Sequence, residues 1–203
     1  MKLKMLLLPA LTAGLLGISG IANANLIVNG GFESGSFSGW SASGLTCSGV
    51  GASFSTASGG CFGYDGDPGP HSGANAAYLG TAAGGGVLSQ SLATTIGRTY
   101  SVDFFLAIGA FDGSSTPNSL AVAFGGNSLL SLTNTAAQGF AHYSYLVTAS
   151  TAVSSLVVTH GNLPSFFILD DVSVNAVPEP ATLFLLGMGI AGLGFARRRK
   201  VKI

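Results

Sequence analysis

Residues 99–108 alternate without a break. Tyr100, Val102, Phe104, Leu106 and Ile108 share one parity, and Ser101, Asp103, Phe105 and Ala107 share the other. Successive side chains of a strand point to opposite faces, so a period of two predicts a half-buried β-strand. The same reading predicts strands over 76–79, 87–95, 120–124, 129–132, 140–148, 153–160 and 166–174, and a short apolar strand opening at Asn25. Turn residues separate them, among them Gly97-Arg98, Gly125-Gly126-Asn127 and Gly161-Asn162-Leu163-Pro164. No helical period occurs between Asn25 and Pro178. Eight or nine strands at this spacing predict an all-β fold, an antiparallel β-sandwich of the jelly-roll kind.

Composition agrees with that reading. Only 8% of the 203 residues are charged and 31 are glycine, which disfavours a helical protein. Thirteen Phe and five Tyr supply enough apolar area to offset chain entropy, which disfavours disorder. The formal net charge of zero hides an asymmetry. Between Asn25 and Ala176 the one basic residue, Arg98, faces seven acids, Glu33, Asp65, Asp67, Asp103, Asp112, Asp170 and Asp171, a net charge of −6. An acidic body without a basic patch excludes nucleic acid as a partner.

The two ends are unlike the body. Residues 1–24 have Lys2 and Lys4, an apolar run, and Ala22-Asn23-Ala24 with small residues where a signal peptidase requires them. They predict a secretory signal helix, removed to leave Asn25 first. Residues 177–203 begin with a stiff Pro178-Glu179-Pro180 break. An uncharged stretch from Ala181 to Ala196 follows, then Arg197, Arg198, Arg199 and Lys200. As a helix the stretch spans about 24 Å, against a hydrocarbon core of about 30 Å, so it predicts a short transmembrane helix. The basic end keeps the C-terminus inside and the body, 25–176, outside.

That tail resembles a PEP-CTERM sorting signal. The resemblance implies export across the inner membrane and transient anchoring there. An exosortase-type enzyme would then cleave near Pro178, Glu179 and Pro180 and pass the protein to the cell surface or extracellular matrix. An uncleaved membrane anchor is the alternative. Within the body, Asn25-Leu26-Ile27-Val28-Asn29-Gly30-Gly31-Phe32-Glu33 with the later Gly39-Trp40 resembles the opening of galactose-binding-like sandwiches, which include carbohydrate-binding modules. Val87-Leu88-Ser89-Gln90-Ser91-Leu92 through Thr99-Tyr100-Ser101-Val102 resembles the middle of the same family. The resemblance implies a polysaccharide partner and a structural Ca²⁺ held by Glu33 and Asp170.

The residues bear on chemistry as follows. Asp170 shares parity with Val172 and Val174, so it is expected to point inward, where a carboxylate needs a cation or donors. Calcium with oxygen ligands meets that need, and backbone N–H bonds meet it equally. Cys47 and Cys61, in an exported chain, predict one disulfide closing a loop of about 15 residues. Asp65 and Asp67 sit in a Gly/Pro-rich turn without the Glu of an EF-hand loop. Tyr64 and Phe111, in loops, are the expected sugar contacts, whereas Trp40 reads as a packing residue. His71, His142 and His160 read as surface or half-buried strand residues. No nucleophile elbow or phosphate cradle occurs. The reading is a non-catalytic protein that binds or structures carbohydrate. The alternatives are a purely structural or adhesive surface protein and an extracellular hydrolase with an unrecognised active site.

Overall fold

The structure is a computed structural model and describes residues 24–53, 67–81, 85–110, 113–162, 166–178 and 187–192. The signal region 1–23, Cys61, Tyr64, Asp65, Phe111, Asp112, Glu179, Pro180 and the basic end Arg197–Lys200 lie outside the described residues. Residues 187–192 are helical. Among the described residues, no helix is long and apolar enough to cross a membrane.

Ten strands form two five-stranded sheets. In chain order they are β1 (Ser41–Ser43), β2 (Gly49–Gly51), β3 (Ala76–Leu79), β4 (Gly86–Ala93), β5 (Thr99–Ile108), β6 (Asn118–Phe124), β7 (Asn127–Thr133), β8 (Gln138–Thr148), β9 (Val153–Asn162) and β10 (Phe167–Ala176). Sheet A runs β1-β4-β9-β6-β7 and sheet B runs β2-β3-β10-β5-β8, with antiparallel pairing throughout. The all-β sandwich read from alternation is the observed fold.

The core lies between the sheets. Val102, Phe104 and Leu106 from β5 meet Leu88, Leu120, Val122, Leu156 and Val158 from sheet A. Phe105 and Ala107 fall on the opposite, outer face of sheet B, as the period of two requires. A second, smaller cluster covers part of that outer face: Ala76, Tyr78, Ala107, Phe166 and Ile168 are buried there, with Phe140 packed against them.

Three local features differ from expectation. The Gly/Ser-rich stretch around Cys47, for which no strand was expected, contributes β1 and β2, whose three residues each are too short to show a period. The opening segment 24–27 joins neither sheet as a strand. It is fastened instead by Leu26 N–H to Val174 O (2.9 Å) and by the Asn25 side chain, whose oxygen accepts from Val174 N (2.9 Å). The buried Gln90 amide completes the attachment, accepting from Val28 N (2.8 Å) and donating to Val28 O (3.0 Å).

The third difference is in β10. Its register against β5 shifts between Asp170 and Ser173, and Asp171 has φ 51. Such a bulge switches parity. Phe167 and Leu169 face the main core before it, and Val172 and Val174 after it, while Ile168 belongs to the outer cluster. Asp170 therefore does not share a face with the two valines. It lies on the Ile168 side, fully buried beneath the loop that precedes β3.

Candidate functional site

The bulge positions a site on the outer face of sheet B. Asp170 Oδ2 accepts from the backbone N–H groups of His71 (2.9 Å) and Ser72 (3.1 Å), and its Oδ1 accepts from Asp171 N (2.8 Å). Asp171 takes the side chains of the same two residues: His71 Nδ1 at 2.7 Å and Ser72 Oγ at 2.7 Å. Two adjacent carboxylates thus staple one loop onto β10. Burial raises the Asp170 pKa, and the three N–H donors oppose that shift.

The staple lays the His71 ring on Phe105, with centroids 3.6 Å apart and planes 15° apart. His142, the register partner of Phe105 on β8, also stacks on it, at 4.7 Å and 20°. Phe140 meets His71 edge-on at 5.2 Å. The result is a row of three near-parallel rings, His71, Phe105 and His142, standing on the sheet. A carboxylate closes each end, Asp171 at His71 and Asp103 at His142, the latter at 3.5 Å from Nε2. The His142 side chain is 50% exposed, so the row is open to solvent on the β8 side.

The same loop is tied down at two further points. The Tyr78 hydroxyl donates to Asp67 Oδ1 (3.2 Å), which also accepts from Gly69 N (2.9 Å). Burial, then the charge of Asp67, pushes the Tyr78 phenol above its usual range, so it stays a donor. Glu33 accepts from Ala74 N and Asn75 N, each at 3.0 Å. Gly73 turns the chain at φ 64, and a Cβ there would run into the Glu33 carboxylate.

Glu33 and Asp170, the expected calcium ligands, hold opposite ends of the segment 71–75. A Cβ on Gly31 would lie 3.9 Å from Asp170 Oδ1, 3.9 Å from Glu33 Cγ and 3.7 Å from Asp171 Oδ1, so three acidic side chains surround this glycine. Backbone donors already engage both proposed ligands. Among the described residues, no group of three His, Cys, Asp or Glu side chains is placed to hold a metal ion. The donor set fits an oxygen-preferring cation only with carbonyl oxygens added.

Other side chains fall elsewhere. Trp40 is buried, stacks on Phe32 at 5.6 Å and donates its indole N–H to Asn29 O (3.2 Å). Tyr143 and Tyr145 pack against Phe104 on the core side of β8. Cys47 lies between β1 and β2 at φ 61, and no free cysteine is present among the described residues. His160 is 3% exposed on β9, and both ring nitrogens lack a hydrogen-bond partner. Sequence reasoning missed the ring row because its members lie far apart in the chain. The one local cue was Phe105, a large aromatic on the polar face of β5.

Residues 176–200 match the PEP-CTERM protein-sorting motif. These residues are a PEP-CTERM sorting signal. A chain with this signal is an exported protein sorted to the cell surface. The body is similar in fold to carbohydrate-binding modules. TmCBM61, solved with β-1,4-galactotriose, superposes with a TM-score of 0.53 at 20% identity, over 76% of this chain and 99% of that one. The enzymatically active domain of tailspike protein 4 from bacteriophage CBA120 gives 0.50 at 13% identity, over 75% of this chain and 21% of that one. A xylan-binding domain from CBM22 gives 0.49 at 12% identity, over 75% and 96%. No curated protein matches the chain in sequence.

Proposed function

We propose that this is a non-catalytic surface or matrix protein that binds extracellular polysaccharide through the outer face of sheet B. The observation that carries the proposal is the His71–Phe105–His142 row with a carboxylate at each end. Two imidazoles stack on Phe105, so a sugar would meet the exposed His142 and the ring edges. Asp103 and Asp171 would accept hydrogen bonds from its hydroxyls. Aromatic side chains give such a surface its contact area at small entropic cost. The shared fold with TmCBM61 makes β-1,4-galactotriose a reasonable first probe beside the producer's own polymer.

The test is retardation of the protein in native gels cast with polysaccharide. Retardation should occur with at least one uncharged polymer and be lost in Phe105→Ala. No retardation on any polymer would remove the sugar reading and favour a purely structural role. Tyr64 and Phe111 remain proposed sugar contacts.

Processing forms part of the proposal. Signal peptidase removes residues 1–24, and an exosortase-type enzyme cuts near Pro178, Glu179 and Pro180. Before that cut, the helix and Arg197, Arg198, Arg199 and Lys200 hold the chain in the inner membrane. The hydrogen bond from Val177 N to Thr99 O (2.9 Å) supports a domain boundary directly before the motif. Intact mass of protein recovered from the surface checks this: the expected species starts at Asn25 and ends near Pro178.

Calcium is the remaining element. Glu33 and Asp170, with carbonyl oxygens, would hold the ion, and its chemistry there would be charge neutralisation that ties the opening segment to β10. The convergence of acids on Gly31 supports it. A melting temperature that excess chelator leaves unchanged would show that the N–H donors suffice alone.

A further inference from the structure

The two lateral sides of the sandwich differ in a way that sugar binding does not explain. On one side the sheets end in β1 and β2, three residues each. Very short edge strands are a standard protection against pairing with another chain. On the other side they end in β7 and β8, of 7 and 11 residues. The short connection 134–137 keeps these two edges together, and Leu130, Leu132, Tyr143 and Tyr145 from them pack on the same core.

Each long edge has one irregularity near its N-terminal end, in β8 opposite Leu106–Ile108 and in β7 opposite Val122–Ala123, and beyond it no other protective device. β7 reads Asn-Ser-Leu-Leu-Ser-Leu-Thr and β8 reads Gln-Gly-Phe-Ala-His-Tyr-Ser-Tyr-Leu-Val-Thr. There is no Lys, Arg, Asp, Glu or Pro in either. Among the described residues, β8 pairs only with β5 and β7 only with β6. Past its irregularity, every second backbone N–H and C=O of β8 therefore faces outward along the regular run 141–148, about 27 Å of strand. Leu146, on that run, is 71% exposed.

We propose that the β7/β8 side is a self-association surface, and that its partner is the β8 edge of a second copy of this chain. Two arguments select a second copy. The outward backbone groups are satisfied by another strand edge, and an antiparallel β8–β8 pair joins the two B sheets into one ten-stranded sheet about a twofold axis. The charge distribution also favours it. A body of net charge −6 repels its like over most of its surface, but β7 and β8 contain no acid. Two copies meet there without opposing carboxylates. The inference is independent of sugar binding, since the ring row stands on the outer face and the pairing uses the edge.

The test uses the full-length chain purified in mild detergent. Single cysteines are introduced as Ser144→Cys, Leu146→Cys and Thr148→Cys on β8, with Ser41→Cys on β1 as the control, and each protein is treated with a short bismaleimide. The expected result is covalent dimer from the β8 positions and none from Ser41→Cys. Adding Leu146→Lys to Ser144→Cys places like charges across the pair and should lower the dimer yield about tenfold. These are exposed sites that a folded domain tolerates, and circular dichroism confirms the fold of each. Absence of dimer from all three β8 positions, or equal dimer from β1 and β8, would overturn the proposal.

Discussion

Acidification should unfold this domain partly through one residue, His160. Its ring is 3% exposed, with neither nitrogen hydrogen-bonded. Burial lowers its pKa from 6.5 to about 4. The unfolded chain therefore takes up a proton at a pH where the folded one does not. Stability from this group is present above the unfolded value and is lost as pH falls from about 6.5 to about 4. The full shift corresponds to about 3 kcal/mol, and about 2 kcal/mol of it is lost by pH 5. The assay is urea unfolding of the body, residues 25–177, at pH 7 and pH 5, for wild type and His160→Leu. The wild type should lose about 2 kcal/mol more than the variant over that interval. At pH 7 the variant should be as stable or more so, since it removes two buried groups without partners. Equal pH dependence in the two proteins would refute the reasoning.

Three further outcomes follow from the loop before β3 and its surroundings. Gly73→Ala should lower stability by about 2 kcal/mol, because a side chain at φ 64 is strained and meets the Glu33 carboxylate; thermal unfolding reads this directly. Asp171→Ala should free His71 from the row and weaken polysaccharide binding while β10 stays paired, which gel retardation and circular dichroism measure together. The proposed Cys47–Cys61 bridge would be worth about 3 kcal/mol by loop entropy; if it forms, alkylation without reductant should label no thiol and reduction should lower the melting temperature.

The sandwich was legible because its longer strands bury one face each. Alternation in β5 gave its bounds and its core face together, and β3 was short but clearly flanked. β1 and β2 were not legible, since three residues each in a Gly/Ser-rich stretch carry no period. The site was harder. Parity placed Asp170 inward with Val172 and Val174, and one left-handed residue, Asp171, reversed that by inserting a bulge. The acids of the body also proved to be structural acceptors: Glu33, Asp67, Asp170 and Asp171 all receive bonds from the segment 69–78 or its neighbours. His71, Phe105 and His142 meet only through that loop and the β5–β8 register. No spacing in the chain announces such a meeting.

The central claim is that the outer face of sheet B holds polysaccharide. It is tested most directly by backbone and ring resonances of the isotope-labelled body, titrated with oligosaccharides cut from the producer's own polymer. The account predicts that the rings of His71, Phe105 and His142 and the amides around Asp103 and Asp171 shift together, while sheet A is unaffected. Shifts confined to sheet A, or none at saturating sugar, would contradict it.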